Sequence, residues 1–289
     1  MFLSVYKTTL KNLFRSLLFW LIFAFLIGVS LYDTMSVNHG DYSSEYKEMI
    51  WDTDPRYVLS EMTYVENVMN NCTSTMLYAM PLMAIVSTFL ILSRDYGDGF
   101  YEIERAGGRR PLHYLTGRLA ALLTVNFVAV LLTVFLMSVT YVFTRGGVSG
   151  MPVGEFWSDL IPRVLRNVIC VTWAPVAIFV CFTYMLGSLF KNGWVAAAGS
   201  SVYILINYVF NYQLRFRIPE WYGQYLMPTP RTVHSYFRFY NYYTPEKFEQ
   251  FLAQKGTSLG LALAGIGWAL GVALIYSLVS YLRIRRREI

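Results

Sequence analysis

Nine charged side chains fall between Arg94 and Arg118: Arg94, Arg105, Arg109, Arg110 and Arg118 against Asp95, Asp98, Glu102 and Glu104. The stretch reads RDYGDGFYEIERAGGRRPLHYLTGR, and its glycines and Pro111 turn the chain at several places. It lies between two long apolar runs. Mixed charges on such a hairpin have the chemistry of a docking surface, pairing with a partner rather than transforming a substrate. Asp98 suits an N-cap and Gly107-Gly108 a helix stop, so Phe100 to Ala106 has room for two helical turns. Phe100, Ile103 and Gly107 then share one face and Glu102 and Arg105 another. A short helix of this kind seats in a partner's groove. A solvated loop that only carries orienting arginines fits the same periodicity equally well. Pro111 suits the first turn of a new helix that runs on into the next apolar run.

Other chemistry is sparse. No Gly-x-x-x-x-Gly-Lys-[Ser/Thr] occurs, so any ATP-driven work needs a separate ATPase chain. His39, His113 and His234 are scattered over different loops, and no His-Glu-x-x-His is present. His39 with Asp41 and Glu45 is the one grouping able to hold a metal, and solvated loop residues explain it better. Cys170 and Cys181 would stand roughly 16 Å apart along one predicted helix, too far for a disulfide. Acidic and basic residues are essentially missing from the apolar runs, which argues against a proton- or sodium-coupled carrier. The same lack leaves a membrane enzyme without its catalytic constellation. Milder polar groups remain. Asn126, Asn207 and Asn211 are candidates to line a pathway, the last two sharing a face at a spacing of four. Hydrogen bonding to a neighbouring helix is the simpler role for any one of them.

The elements that carry these residues follow from composition. The chain has 289 residues, 55% of them hydrophobic and 15% charged, and its charges are clustered. This predicts an all-α, polytopic membrane protein with six transmembrane helices in a single transmembrane domain over 1–289. The net charge of +6 then reflects topology rather than affinity for nucleic acid. Residues 1–16 predict an amphipathic interfacial helix with Lys7, Lys11 and Arg15 on one face. Spans are predicted at about 17–32, 72–93, 119–143, 167–189, 194–211 and 257–282, with Pro81 and Pro175 inside two of them. The charged hairpin occupies 94–118, and extracellular loops occupy 33–71 and 212–256.

Loop 33–71 carries eight acids against Lys47 and Arg56. Loop 212–256 is aromatic, with Tyr236-Phe237-Arg238-Phe239-Tyr240-Asn241-Tyr242-Tyr243 at its centre. Such rings belong at a lipid–water interface; stacking on single-stranded nucleic acid is a poor reading there. Gly260/Ala264 and Gly267/Gly271 in span 6 permit close helix packing. The side holding both termini carries 13 of the 24 Lys and Arg in roughly 50 residues, and the opposite side the other 11 in roughly 105. The N- and C-termini are therefore expected in the cytoplasm.

One order of features resembles a known family. After a span come Arg94-Asp95-Tyr96-Gly97-Asp98-Gly99, an acidic helix through Glu102 and Glu104, then Gly107-Gly108-Arg109-Arg110-Pro111. Leu115-Thr116-Gly117-Arg118-Leu119 opens the next span. This order resembles the first cytoplasmic loop of permease subunits of type-2 ABC transporters. Arg118 stands where lysine is usual in that family, and the family's Ser-Pro before its arginine is not reproduced. The elbow helix, six spans, cytoplasmic termini, long last outer loop and basic tail extend the resemblance over nearly the whole chain.

The resemblance implies that the hairpin is a coupling helix. Phe100, Tyr101, Glu102, Ile103, Glu104 and Arg105 would contact an ABC-type ATPase subunit. It implies no cofactor on this chain, with ATP-Mg on that partner, and a second permease subunit in a homodimer or heterodimer. By the same resemblance spans 2 and 5 line the pathway and short helices in 212–256 cap it. The expected function is then a non-catalytic, multi-pass plasma-membrane subunit of an exporter. Its cargo would be a peptide, drug or lipid-like amphipathic molecule, and its other contacts membrane lipids. A non-transporting receptor or immunity protein that binds an extracellular ligand through 33–71 and 212–256 is the alternative.

Overall fold

The computed structural model describes residues 2–36, 80–99, 102, 110–144, 173–208 and 258–286. Among them are seven helices and no strand: α1 (Phe2–Phe14), α2 (Leu17–Ser36), α3 (residues 80–97), α4 (Pro111–Thr144), α5 (Trp173–Phe190), α6 (Gly193–Tyr208) and α7 (Ser258–Arg285). The loops 33–71 and 212–256 lie almost wholly outside the described residues, as do 167–172 of the predicted fourth span.

Two helices, Pro111–Met137 and Ile266–Arg285, are long and apolar enough to cross a membrane. There are up to three if α1 and α2 count as one bent span. This fits a multi-pass membrane protein. Val176–Phe190 and Gly193–Ile206 are shorter apolar helices.

The breaks between elements have local causes. α1 and α2 meet at a bend of 69°. Ser16 starts α2 by accepting the Phe19 amide on its hydroxyl at 3.4 Å, an N-cap. The Trp20 indole then donates to the Phe14 carbonyl at 2.9 Å, across the bend. α3 ends where Gly99 takes a left-handed backbone (φ 68°), a conformation glycine adopts without steric cost. α4 begins at Pro111, whose fixed φ suits a first helical position. The α5–α6 turn places Lys191 at φ 54°, and the Asn192 side chain caps α6 by accepting the Trp194 amide at 2.8 Å.

α4 is the central element. It packs against α1, α2, α5 and α7. Leu115, Leu119, Leu122, Val125, Ala129, Val130, Val134 and Met137 bury one broad side of it. Val128, Leu132 and Phe135 form an exposed apolar stripe on the other. α7 lies mainly on α5, and its outer face (Leu270, Leu274, Ile275, Leu278, Leu282) is exposed. Apolar outer faces of this kind match a lipid solvent rather than water. Serine and threonine hydroxyls inside the helices return to carbonyls one turn back, as Thr88 does to Ala84 and Thr133 to Ala129.

Candidate functional site

The connection between α3 and α4 is the element predicted to dock a partner. The helices reach further into it than their apolar runs do. α3 continues to residue 97 and α4 starts at Pro111, which leaves 98–110 as the link. The extra turns are stabilised by charged and polar groups that satisfy one another.

Asp95, near the end of α3, and Arg118, two turns into α4, are both 1% exposed. Arg118 Nη2 donates to Asp95 Oδ1 at 2.5 Å. The Tyr114 hydroxyl donates to the other carboxylate oxygen at 2.6 Å. Arg118 Nη1 donates to Thr9 Oγ1 of α1 at 2.8 Å, and Thr9 Oγ1 donates in turn to the Val5 carbonyl at 2.7 Å. The guanidinium carbon sits 5.2 Å from the centre of the Tyr114 ring, within cation–π range. Tyr184 of α5 is buried close enough to interact electrostatically with both charges. One guanidinium fork therefore holds α1, α3 and α4 together, and both of its outer nitrogens are used. An arginine fork serves two acceptors in fixed directions, which a lysine ammonium cannot do with the same rigidity.

Close packing supports the polar contacts. Gly117 lets α1 approach α4: a Cβ there would stand 2.8 Å from Val5 Cβ and 3.2 Å from the Phe2 carbonyl oxygen. Gly193 does the same for the α5–α6 turn, where a Cβ would meet Ser93 Oγ at 2.6 Å. Phe89 of α3 rests on Trp194 of α6, with ring centres 4.6 Å apart. The root of the link is thus held from three sides, by α1, by α4 and by the turn before α6.

The predicted docking residues are placed unevenly. Glu102 is helical and exposed. Phe100, Tyr101, Ile103, Glu104 and Arg105 lie outside the described residues. Of the candidate lining residues, Asn126 is buried. Its Nδ2 donates to Ser87 Oγ of α3 at 2.9 Å and to the Leu122 carbonyl at 2.8 Å. Asn207 lies in the last turn of α6, and Asn211 is outside the described residues. No grouping of three or more His, Cys, Asp or Glu able to hold a metal occurs among the described residues.

The ion pair is the feature that sequence reading missed, because both charges were counted as part of a charged docking hairpin. A signal was present. Asp95 falls on the helical face of Thr88, Ile91 and Leu92, and Arg118 on that of Leu115 and Leu122. A lone charge on an otherwise apolar face is a charge that needs a partner.

No protein-family model matches the chain, and no curated protein is significantly similar to it.

Proposed function

We propose that this chain is the membrane-spanning subunit of an ATP-driven transporter of the type-2 ABC kind. In this reading it crosses the plasma membrane six times with both termini in the cytoplasm. It exports a peptide, drug or lipid-like cargo together with a second permease subunit. ATP-Mg is bound and hydrolysed on a separate ATPase chain that seats on link 98–110 through Phe100–Arg105.

One observation supports this reading above the others: the link leaves the helices at a point where α1, α3 and α4 are clamped by the Asp95–Arg118–Thr9 cluster. A force applied to the link reaches three helices at once instead of being lost in a loose loop. The exposed, helical Glu102 agrees with an outward-facing docking segment.

The test is affinity capture of the tagged chain in mild detergent, with mass spectrometry of what accompanies it. The expected result is a stoichiometric ATPase carrying a phosphate-cradling loop, lost on Ile103→Asp. Failure to recover an ATPase in several detergents overturns the reading and favours a stand-alone receptor for an extracellular ligand.

A further inference from the structure

α1 has two faces with different chemistry. Val5, Thr9 and Leu13 are buried against the body of the protein, chiefly on α4. On the opposite side Lys7 and Lys11 are exposed, flanked by exposed Leu3 and Phe14 and followed by exposed Arg15. At a helical repeat of about 100° per residue, Lys7 and Lys11 point away from Thr9. The 69° bend leads from this basic face directly into α2, where Leu17, Leu18, Trp20, Leu21 and Phe25 are exposed. Cations beside a small apolar flank, at the foot of a lipid-compatible helix, are complementary to an anionic bilayer surface.

The buried face of the same helix carries Thr9, which accepts from the guanidinium that also holds Asp95. If α1 lifts from its seat, a buried guanidinium N–H loses its acceptor. The position of α1 and the geometry of the root of the 98–110 link are therefore energetically tied.

We infer that the Lys7/Lys11/Arg15 face of α1 binds anionic lipid headgroups, and that this binding tightens the root of the link through Thr9 and Arg118. Anionic lipid thereby sets how firmly the end of α3 and the start of α4 are held together. The inference rests on the permease reading for the membrane but not for the ATPase, so its test contains no ATPase.

The full chain is placed in nanodiscs of phosphatidylcholine with and without phosphatidylglycerol. Amide hydrogen exchange is followed at residues 94–99 and 110–114. Phosphatidylglycerol is expected to slow exchange at both segments several-fold. Lys7→Gln with Lys11→Gln and Arg15→Gln should lose the retained phosphatidylglycerol, read by native mass spectrometry, together with the slowing. Thr9→Val should keep the lipid and lose the slowing, and Thr9→Ser, which retains the hydroxyl, should behave as the parent. Equal exchange in both bilayers overturns the inference. So does a Thr9→Val chain that responds like the parent, or retention of phosphatidylglycerol by the triple variant. Because the three basic side chains are exposed and Thr9→Val is nearly isosteric, the variants are expected to fold.

Discussion

Arg118 and Asp95 are joined at 2.5 Å with both side chains 1% exposed, although 22 residues of chain and a turn-rich link separate them. Removing one partner leaves the other as an uncompensated buried charge. Asp95→Asn and Arg118→Gln are each expected to destabilise the protein by about 3–5 kcal/mol. The double variant Asp95→Leu with Arg118→Met, which removes both charges at similar volume, should recover much of that loss. Thermal unfolding of the detergent-solubilised chain, arranged as a double-mutant cycle, measures the coupling. Additive losses would mean that the pair does not act as a unit.

Arg118→Lys separates charge from shape. Lysine keeps the attraction to Asp95 but cannot also reach Thr9 with the geometry of the fork. We expect α1 to loosen while α3 and α4 stay paired. Hydrogen exchange should rise at Val5–Leu13 and remain unchanged at residues 88–95. A uniform rise in both segments would show that Arg118 supports the whole bundle rather than the seat of α1.

Gly117 is required because α1 passes too close for any side chain. Gly117→Ala is expected to cost about 1–3 kcal/mol by overpacking against Val5. Val5→Ala made in the same chain should relieve the part due to Val5 Cγ1 at 3.0 Å, while the Cβ at 2.8 Å, which alanine keeps, stays in place. The Phe2 carbonyl oxygen at 3.2 Å cannot be trimmed away, so relief should be incomplete. Unfolding midpoints of the four chains decide the matter, and full additivity of the two substitutions would argue against this contact.

The elements were legible wherever one residue dictates local geometry. Pro111 marks the start of α4, and the basic spacing of Lys7, Lys11 and Arg15 marks α1. The ion pair was not legible in the same way. Its burial depends on α1 and α5 covering it, and neither adjoins the hairpin in sequence. Asn126 was legible as a polar group whose simpler role is a hydrogen bond to a neighbouring helix; that the partner is Ser87 depends on how α3 and α4 are paired. Local rules act within a few residues, whereas the seat of a buried polar group is decided by every helix that packs over it.

Asn126 offers a direct comparison between packing and lining. Its amide bridges α3 and α4, and interhelical hydrogen bonds in membranes contribute about 0.6 kcal/mol on average and up to about 1.7. Asn126→Ala should therefore lower stability by roughly that amount plus the lost volume, about 1–2 kcal/mol together. Ser87→Ala should lower it less, because the Asn126 amide keeps its bond to the Leu122 carbonyl within α4. A packing role predicts that cargo efflux falls only in proportion to the folded fraction. A change in cargo preference at unchanged stability would instead place Asn126 on the pathway.

The charge on the docking segment gives the sharpest test of the coupling proposal. Glu102 is exposed and helical, and Glu104 follows it in sequence. Glu102→Lys with Glu104→Lys reverses the acidic character of the segment without touching the buried cluster at its root. Membrane insertion and the unfolding midpoint should be unchanged, because a substitution at an exposed position such as Glu102 alters stability by about 0.5 kcal/mol or less. Capture of the ATPase, and cargo efflux with it, should be lost or fall at least tenfold, since like charges facing a complementary partner cost several kcal/mol at an interface. The loss should soften as salt is raised, because the repulsion is screened over a Debye length of about 8 Å at physiological ionic strength. Normal efflux in the doubly reversed chain would remove link 98–110 from the coupling path, and the search for the ATPase seat would then move to the basic terminus at Arg283–Arg287.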